Sequence, residues 1–368
     1  DIKNLYEVKY IITLDADTQL PMGMAKKLIG AMAHVLNTPY IDYKNKKVLR
    51  GYGLMQPRIG VGVLSGNKTL FSKIFSGETG IDIYTCAVSD IYQDLFGEGI
   101  FTGKGIYDVD IFNYMLKDEI PENSVLSHDL LEGSYVRTAL VTDLELIDGY
   151  PAYYNASCKR LHRWVRGDWQ LLPWIFKKNS LNKLSIWKMK DNLRRSLLTP
   201  SIVVLIILSL ILFPKPEMWL SIAIISFLTP VLFNISEITN TSLKDISIIV
   251  KLENWKMSLI QFFLMFSFIP YKSYVMIDAI SRSLYRMFIS KKNLLEWQTA
   301  ADVEAKSGKS IKDYIKTMWI GSFIAVLVSL IAFYKSTNLG LLLFPSCIIW
   351  FFSPCIAYYI SKDIIEDT

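Results

Sequence analysis

The stretch Tyr10-Ile-Ile-Thr-Leu-Asp-Ala-Asp-Thr-Gln-Leu-Pro21 decides how the first half of this chain folds. Its apolar residues predict a buried strand, which Pro21 cannot extend because proline lacks a backbone N–H. Asp15 and Asp17 follow at the end of the strand, so their carboxylates point the same way and repel each other unless a cation lies between them. Mg²⁺ or Mn²⁺ takes such oxygen ligands and commonly bridges them to substrate phosphates. The stretch therefore predicts a metal–diphosphate site at the carboxyl edge of an open α/β sheet, and a polar turn after a core strand is the alternative.

The composition of the chain changes along its length. Residues 1–195 intersperse charges and glycines as a soluble α/β protein does, whereas residues 196–368 carry long apolar runs typical of membrane helices. The net charge of +6 arises from Lys and Arg beside those runs rather than from a basic stripe with interleaved aromatic residues, which argues against nucleic-acid binding. Because a nucleotide-binding sheet normally needs strands before the metal-binding one, we expect this chain to be one segment of a longer protein.

Apolar runs in the second half predict membrane crossings near residues 197–213, 218–234, 316–334 and 339–360. The basic flank 177–195 places the start of the first crossing in the cytoplasm, and the basic stretch 282–316 favours the same side. A further run, residues 257–277, then cannot cross once, and Pro270 interrupts it. We therefore expect an interfacial or re-entrant segment there, with a third crossing as the alternative.

A glycine-rich loop and an acidic helix start follow the D-x-D pair. The loop Gly99–Gly105 lets backbone N–H groups approach a ligand closely, although it lacks the spacing of a Walker A loop, and a plain loop is the alternative. Downstream, Ser127-His128-Asp129 opens a helix that we predict to continue to Thr138. A carboxylate at a helix N-terminus is expected to have a low pKa. Asp129 is therefore either a helix cap or a general base that removes a proton from a hydroxyl nucleophile.

The segment 160–170 is predicted to be a helix that leads towards the first membrane run. Helical spacing puts three arginines on roughly one side, where their guanidinium forks suit a diphosphate: Arg160, Arg163 and Arg166. Trp164 and Trp169 offer flat faces on which sugar rings stack. An amphipathic helix lying on the bilayer with aromatic anchors is the alternative, and both interpretations hold together if the helix lies between the site and the membrane.

The order of these elements resembles processive inverting glycosyltransferases of the cellulose and hyaluronan synthase type. In that comparison Ser127-His128-Asp129 stands in the place of a T-E-D-like triplet, and Arg160 replaces the Gln of a Q-x-x-R-W motif. A closer resemblance, spread over the whole chain, is to cyclic β-1,2-glucan synthases of glycosyltransferase family 84. It rests on residues 14–21, 127–133, 162–170, 294–301 and 353–357, which read LDADTQLP, SHDLLEG, HRWVRGDWQ, LLEWQTAA and SPCIA.

This resemblance implies a GT-A-like α/β catalytic domain, of which residues 1–176 are the second half, followed by an α-helical transmembrane region at residues 177–368. It implies UDP-glucose as the donor, a growing glucan chain as the acceptor and Mg²⁺ or Mn²⁺ as the cofactor. It also implies a larger polypeptide with a phosphorylase-like domain, held in a bacterial inner membrane with its catalytic domain in the cytoplasm. The segment alone is expected to be inactive.

The resemblance also implies a role for each candidate residue. Asp129 would be the catalytic base, and Asp15 and Asp17 would hold the metal and the donor diphosphate. The three arginines would add positive charge to that leaving group. The sugar or the acceptor would contact Gly103, Lys104, His128, Trp164 and Trp169. Two rival hypotheses remain, namely a synthase of another polysaccharide or a lipid-linked sugar, and a catalytically silent membrane scaffold or glucan channel.

Overall fold

The computed structural model describes residues 8–76, 91–177, 180–240, 248–296, 298, 304 and 310–364. Its strands are β1 Tyr10–Thr13, β2 Tyr40–Asp42, β3 Lys47–Arg50, β4 Leu54–Val61, β5 Gly105–Asp108 and β6 Thr138–Asp148. A four-stranded mixed sheet has the order β1-β5-β4-β6, and β2 and β3 form a separate hairpin. The strand predicted before the D-x-D pair is confirmed as β1, but its expected burial is wrong, because β1 lies at the edge of the sheet and its four residues are half-buried.

The direction of the strands brings distant residues to one edge of the sheet. β4 and β6 run parallel, whereas β5 runs antiparallel to its neighbours β1 and β4. The carboxyl ends of β1, β4 and β6 therefore lie towards the same edge as the start of β5. Asp15 follows β1, Lys104 precedes β5 and Asp148 ends β6, so this edge collects charged residues from three separate parts of the chain.

Helices cover the sheet and lead away from it. In the described part of the first half they are α1 Met24–Ala33, α2 Val63–Gly66, α3 Leu70–Phe75, α4 Ile91–Phe96, α5 Val109–Leu116, α6 Asp129–Val136, α7 Tyr154–Gln170 and α8 Leu172–Phe176. The helix predicted at residues 160–170 is confirmed as the later part of α7. The core between α1 and the sheet buries Leu28, Met55, Ile106 and Leu144.

The helix that begins at Asp129 is shorter than predicted. It ends at Val136, and Arg137 adopts a φ of 62°, a left-handed conformation in which the helix cannot continue. Thr138 instead begins β6 and pairs with Leu54. The expected continuation of the helix to Thr138 is therefore wrong.

The regular secondary structure of the second half is helical in the part of the chain that the structure describes, with short connections such as residues 213–215 and 291–296. The helices are α9 Lys183–Ile211, α10 Pro216–Asn240, α11 Ile248–Ser267, α12 Ile269–Tyr285, α13 Ile311–Lys335, α14 Thr337–Phe351 and α15 Ser353–Ile360. Among the described residues, α9 and α13 are each long and apolar enough to cross a membrane. The run predicted at 339–360 is divided into α14 and α15, which meet at 43° where Pro354 enters the second helix. The run 257–277 is likewise bent, by 61°, between α11 and α12.

Contacts at the two ends of the bundle give α9 and α13 a common direction. At one end the Lys335 ammonium donates to the carbonyl of Phe213 at 2.7 Å, which joins the end of α13 to the end of α9. At the other end Tyr314, near the start of α13, packs with Phe71 and Tyr154 of the first half. Both helices therefore run away from the sheet-containing part of the molecule.

The segment α11–α12 lies beside the first half. The Gln261 side chain in α11 donates to the carbonyl of Ile74 at 2.7 Å, and the Ser283 hydroxyl in α12 donates to the carbonyl of Arg166 at 3.1 Å. These contacts favour the interfacial interpretation of residues 257–277, which stays a prediction. Residues 299–303 and 305–309, in the predicted basic cytoplasmic stretch, lie outside the described residues.

We expect the exposed residue Lys292 to lie on the same side of the membrane as Asp15. The physical reason is that α12, which leads to Lys292, is attached to α7 of the first half. In a full-length variant without other cysteines, Lys292→Cys should resist a membrane-impermeant thiol reagent in intact cells and react after permeabilisation.

Lys215→Cys is the matched control, because Lys215 is an exposed lysine in the loop between α9 and α10 at the opposite end of the bundle. This control should react in intact cells. Labelling of Lys292→Cys in intact cells would place residues 257–277 across the membrane and remove the interfacial segment.

Candidate functional site

A buried ammonium joins two carboxylates at the sheet edge. Lys104 Nζ lies 2.9 Å from Oδ2 of Asp15 and 3.0 Å from Oδ2 of Asp148. The side chains of Lys104 and Asp148 are each 7% exposed, whereas that of Asp15 is 56% exposed. Burial opposes the charged form of Lys104, but the hydrogen bond to Asp15 and the charge of Asp148 outweigh it and raise the pKa of Lys104. The structure thus places Lys104 in an ion-pair network with the D-x-D turn.

The turn that carries the D-x-D pair is attached to the end of β6. The Thr18 hydroxyl donates to Oδ1 of Asp148 at 2.9 Å. Gln19 and Ile147 exchange two backbone hydrogen bonds of 2.7 and 3.1 Å. Both carboxylates of the pair stay exposed to solvent. Such open oxygen donors fit Mg²⁺ or Mn²⁺, which keeps several waters and takes diphosphate oxygens as further ligands.

Asp129 is a largely desolvated carboxylate at the first position of α6. Burial raises its pKa and the charge of Glu132 raises it further, whereas His128 and the hydroxyl of Ser127, 3.3 Å from Oδ2, act in the opposite direction. The expectation of a low pKa is therefore wrong for this residue, because desolvation outweighs the helix terminus. A carboxylate with a raised pKa is better suited to accept a proton near neutral pH.

His128 and Glu132 form a hydrogen-bonded pair one helical turn apart. His128 Nδ1 lies 2.6 Å from Oε1 of Glu132, and this contact raises the pKa of His128. One ligand atom from each of His128, Asp129 and Glu132 lies within 4.8 Å of the others, a spacing that could also hold a metal ion. His128 thus lies next to the candidate base with its ring directed to a carboxylate partner.

Two glycines allow the backbone to approach the carboxylates. Gly103 has a φ of 90°, and a Cβ at this position would lie 3.2 Å from the carboxyl carbon and from both carboxyl oxygens of Asp129. A Cβ at Gly149 would lie 3.0 Å from Oδ2 of Asp17. The glycine loop therefore covers Asp129 with a peptide rather than with a side chain, which explains the need for glycine at position 103.

The helix α7 directs one arginine towards the carboxylates. Burial and the charge of Arg160 lower the pKa of Arg163, whereas the charges of Asp15, Asp129 and Asp17 act in the opposite direction, so its guanidinium lies within electrostatic range of all three carboxylates. The neighbouring Arg160 guanidinium lies 4.6 Å from the ring centroid of Trp164, whose side chain is 46% exposed. The structure therefore brings Arg163 together with the acidic residues and leaves the Trp164 ring open on the same helix.

The later part of α7 faces away from the carboxylates. The Arg166 guanidinium donates to the carbonyls of Glu296 and Leu294 at 3.1 and 3.4 Å, and the Trp169 indole donates to the Ser196 hydroxyl at 2.9 Å. The grouping of Arg166 with Arg160 and Arg163 on one side is wrong, because three-residue steps rotate around a helix and separate the first and third arginines by about 120°. Arg166 and Trp169 therefore contact neighbouring segments instead of the diphosphate and sugar positions predicted for them.

A neighbouring glutamine links the loop before Asp129 to the segment after α12. Its side-chain oxygen, Oε1 of Gln170, accepts from the backbone N–H of Leu126 at 2.6 Å, and its Nε2 donates to the carbonyl of Leu294 at 3.1 Å. Sequence reasoning missed this residue and also missed Asp148 and Thr18. Asp148 ends a strand directly before Gly149, which is the one signal that pointed to it, and Thr18 belongs to the D-x-D stretch itself.

No protein-family model matches the chain. The chain is 42% identical over 364 residues to the cyclic β-(1,2)-glucan synthase NdvB of Rhizobium meliloti (strain 1021). The aligned region covers 97% of this chain and 13% of the length of that relative, so the chain corresponds to a segment of it. The resemblance to cyclic β-1,2-glucan synthases is thereby confirmed.

Gly103→Ala should destabilise the full-length protein. A side chain at a φ of 90° costs about 1–3 kcal/mol in backbone strain, and here it also presses on the Asp129 carboxylate. We expect a lower Tm in detergent solution. Gly30→Ala is the control, because Gly30 lies in α1 with nothing within 4 Å of an added Cβ, and it should raise stability by roughly 0.5–1 kcal/mol. Equal Tm values for the two variants would contradict the strained loop.

Proposed function

We propose that this chain, a homologue of one segment of a cyclic β-(1,2)-glucan synthase, carries the base and the diphosphate-binding residues of an inverting processive transferase that uses UDP-glucose to build β-1,2-glucan. The observation that carries the proposal is the convergence of Asp129, whose pKa is raised, with Asp15 and Arg163. A single in-line displacement needs a base for the acceptor hydroxyl and positive charge for the departing diphosphate. Both kinds of group are present within this cluster.

Asp129 would act on the acceptor. Its carboxylate takes the proton as the O–H bond of the glucan 2-hydroxyl breaks, while that oxygen forms a new bond to C1 of the donor glucose. The bond from C1 to the diphosphate oxygen breaks in the same step, and its electron pair leaves with UDP. Because one displacement inverts C1, an α-linked donor gives a β-linked product without a glycosyl-enzyme intermediate.

The diphosphate would lie at the D-x-D turn. Asp15 and Asp17 fit a Mg²⁺ or Mn²⁺, which when bound supplies positive charge to the leaving group. Arg163 adds a guanidinium beside the same carboxylates, where its fork can bind phosphate oxygens in pairs. The buried neighbours Lys104 and Asp148 hold the turn in place.

The acceptor sugar would stack on α7. The exposed Trp164 ring offers an apolar face, and Arg160 lies over that ring, where it restricts the orientation of the indole. Gly103 and His128 flank Asp129 and would shape the space available to the reacting hydroxyl. The surrounding helices would hold this part against the cytoplasmic face of a bacterial inner membrane, in one polypeptide with a phosphorylase-like domain and other domains.

Two other functions compete with this proposal. The same residues could serve the synthesis of another polysaccharide or of a lipid-linked sugar, and analysis of the product of the full-length protein distinguishes these. A catalytically silent membrane scaffold or glucan channel would have no use for a metal-dependent nucleotide site. Calorimetric titration with UDP, with and without Mn²⁺, separates the scaffold from every transferase.

Asp129→Asn in the full-length protein should abolish transfer while UDP affinity is retained. The amide cannot accept the proton of the acceptor hydroxyl, and loss of a general base costs roughly 10²–10⁴-fold in rate. The rate is measured as glucose incorporation from UDP-glucose, and affinity by titration with UDP.

Asp110→Asn is the matched control, since Asp110 is an exposed carboxylate in the first turn of α5 and lies apart from the cluster. It should leave both quantities unchanged. If Asp129→Asn polymerises near the wild-type rate, Asp129 only stabilises the start of α6 and its assignment as the base is wrong.

Glu132→Gln should move the acidic limb of the rate–pH profile to lower pH. The negative charge of Glu132 helps raise the pKa of Asp129, so its removal lowers that pKa and keeps Asp129 ionised in more acidic solution. The limb is measured from the transfer rate of the full-length protein, with Glu122→Gln, an exposed residue, as the control. An unmoved limb would mean that it reports the titration of a group other than Asp129.

A further inference from the structure

Asp148 is the least exposed carboxylate of the D-x-D neighbourhood. Its side chain is 7% exposed, and each of its two oxygens has a donor, Lys104 at Oδ2 and Thr18 at Oδ1. A carboxylate with both oxygens engaged and almost no solvent access is not positioned to bind a metal ion itself. Its influence on the site must pass through the two residues that it holds.

Lys104 is shared between two carboxylates that differ in exposure. Its ammonium is nearly equidistant from Asp15 and Asp148, at 2.9 and 3.0 Å. Asp15 is open to solvent, so it is the member that a cation from solution can reach. Lys104 therefore competes directly with any divalent cation for the Asp15 carboxylate.

The charges of the cluster decide that competition. Asp15 and Asp17 together offer two negative charges, and Lys104 alone would offset one of them. With Asp148 present, the ammonium is already neutralised by a buried carboxylate that solution cations do not reach. The D-x-D pair then keeps its negative charge for a divalent ion.

We propose that Asp148 is a positioning residue that holds the Lys104 ammonium and thereby preserves the affinity of Asp15 and Asp17 for a divalent cation. This inference rests on the proposed function, in which that cation binds with the nucleotide diphosphate. Residues outside the ligand shell that act in this way typically change metal affinity by about 10–100-fold.

The test measures Mn²⁺ binding directly, by electron paramagnetic resonance of the free ion in the presence of saturating UDP, with the purified full-length protein. Asp148→Asn keeps the shape of the side chain and removes its charge. The Lys104 ammonium then loses its buried carboxylate partner and offsets the negative charge of Asp15 more strongly. We expect Mn²⁺ affinity to fall by roughly 10-fold or more. Asp143→Asn is the matched control on the same strand, because Asp143 is exposed, and it should bind Mn²⁺ as the wild type does.

The double variant Lys104→Met/Asp148→Asn separates a charge effect from a structural one. It removes the ammonium together with its buried partner, so Mn²⁺ affinity should return to within a few-fold of the wild type. A double variant as weak as Asp148→Asn would show that Asp148 acts only by holding the turn through Thr18, and would overturn the proposal. Wild-type affinity in Asp148→Asn would overturn it as well.

Lys104→Met keeps the proposal testable if Asp148→Asn does not fold, as judged from its Tm. This variant frees Asp15 from its competitor, so Mn²⁺ should bind at least as tightly as in the wild type, and weaker binding contradicts the proposal. Failure of the proposed function gives a different pattern. In that case the wild type itself shows no UDP-dependent Mn²⁺ binding and no glucose transfer, so the failure is seen before any variant is compared.

Discussion

The Lys104 ammonium, buried between Asp15 and Asp148, imposes a condition that the whole first half of the molecule must meet. Taking a charge out of water costs about several kcal/mol unless its partners are in place, so the D-x-D turn, the glycine loop and the end of β6 must assemble together. The sheet makes this possible because antiparallel β5 lies between two strands of the opposite direction. Lys104, just before β5, thereby reaches the ends of both β1 and β6, and the glycine loop that leads into β5 covers Asp129.

The helix α7 connects this cluster to the helices of the second half. One part of it holds Arg163 beside the carboxylates, while His162 Nε2 lies 2.9 Å from Oδ2 of Asp278 in α12. Arg166 on the same helix receives a hydrogen bond from Ser283 of α12 at its carbonyl. The position of Arg163 therefore depends on packing against α12, and a displacement of α12 would also move Arg163 relative to the carboxylates.

The sequence predicts the elements of this site better than their mutual contacts. The D-x-D strand, the helix that bears Arg163 and the breaks in the apolar runs follow from local patterns of burial and proline. The pairing of Lys104 with Asp148 joins residues on different strands, and no local pattern contains that information. The pKa of Asp129 was predicted in the wrong direction because a helix terminus is visible in sequence, whereas desolvation and the neighbouring Glu132 charge depend on the folded environment. The side of α7 on which Arg166 lies was predicted wrongly for a simpler reason. A helix has about 3.6 residues per turn, so residues spaced three apart move progressively around it.

The way in which α7 binds the segment after α12 has a consequence for divergence among related proteins. Arg166 and Gln170 contact the main-chain carbonyls of Leu294 and Glu296, so the attachment is made to atoms that every amino acid possesses. Substitutions in that segment can therefore change its side chains while its path beside α7 is kept. Since the Gln170 side chain also accepts from the backbone N–H of Leu126 in the loop before Asp129, it couples the two segments through their backbone atoms. Natural variation at residue 294 is thus free to alter local chemistry without disturbing the loop that carries the candidate base, whereas a change at residue 296 also removes the ion pair between Glu296 and Arg286.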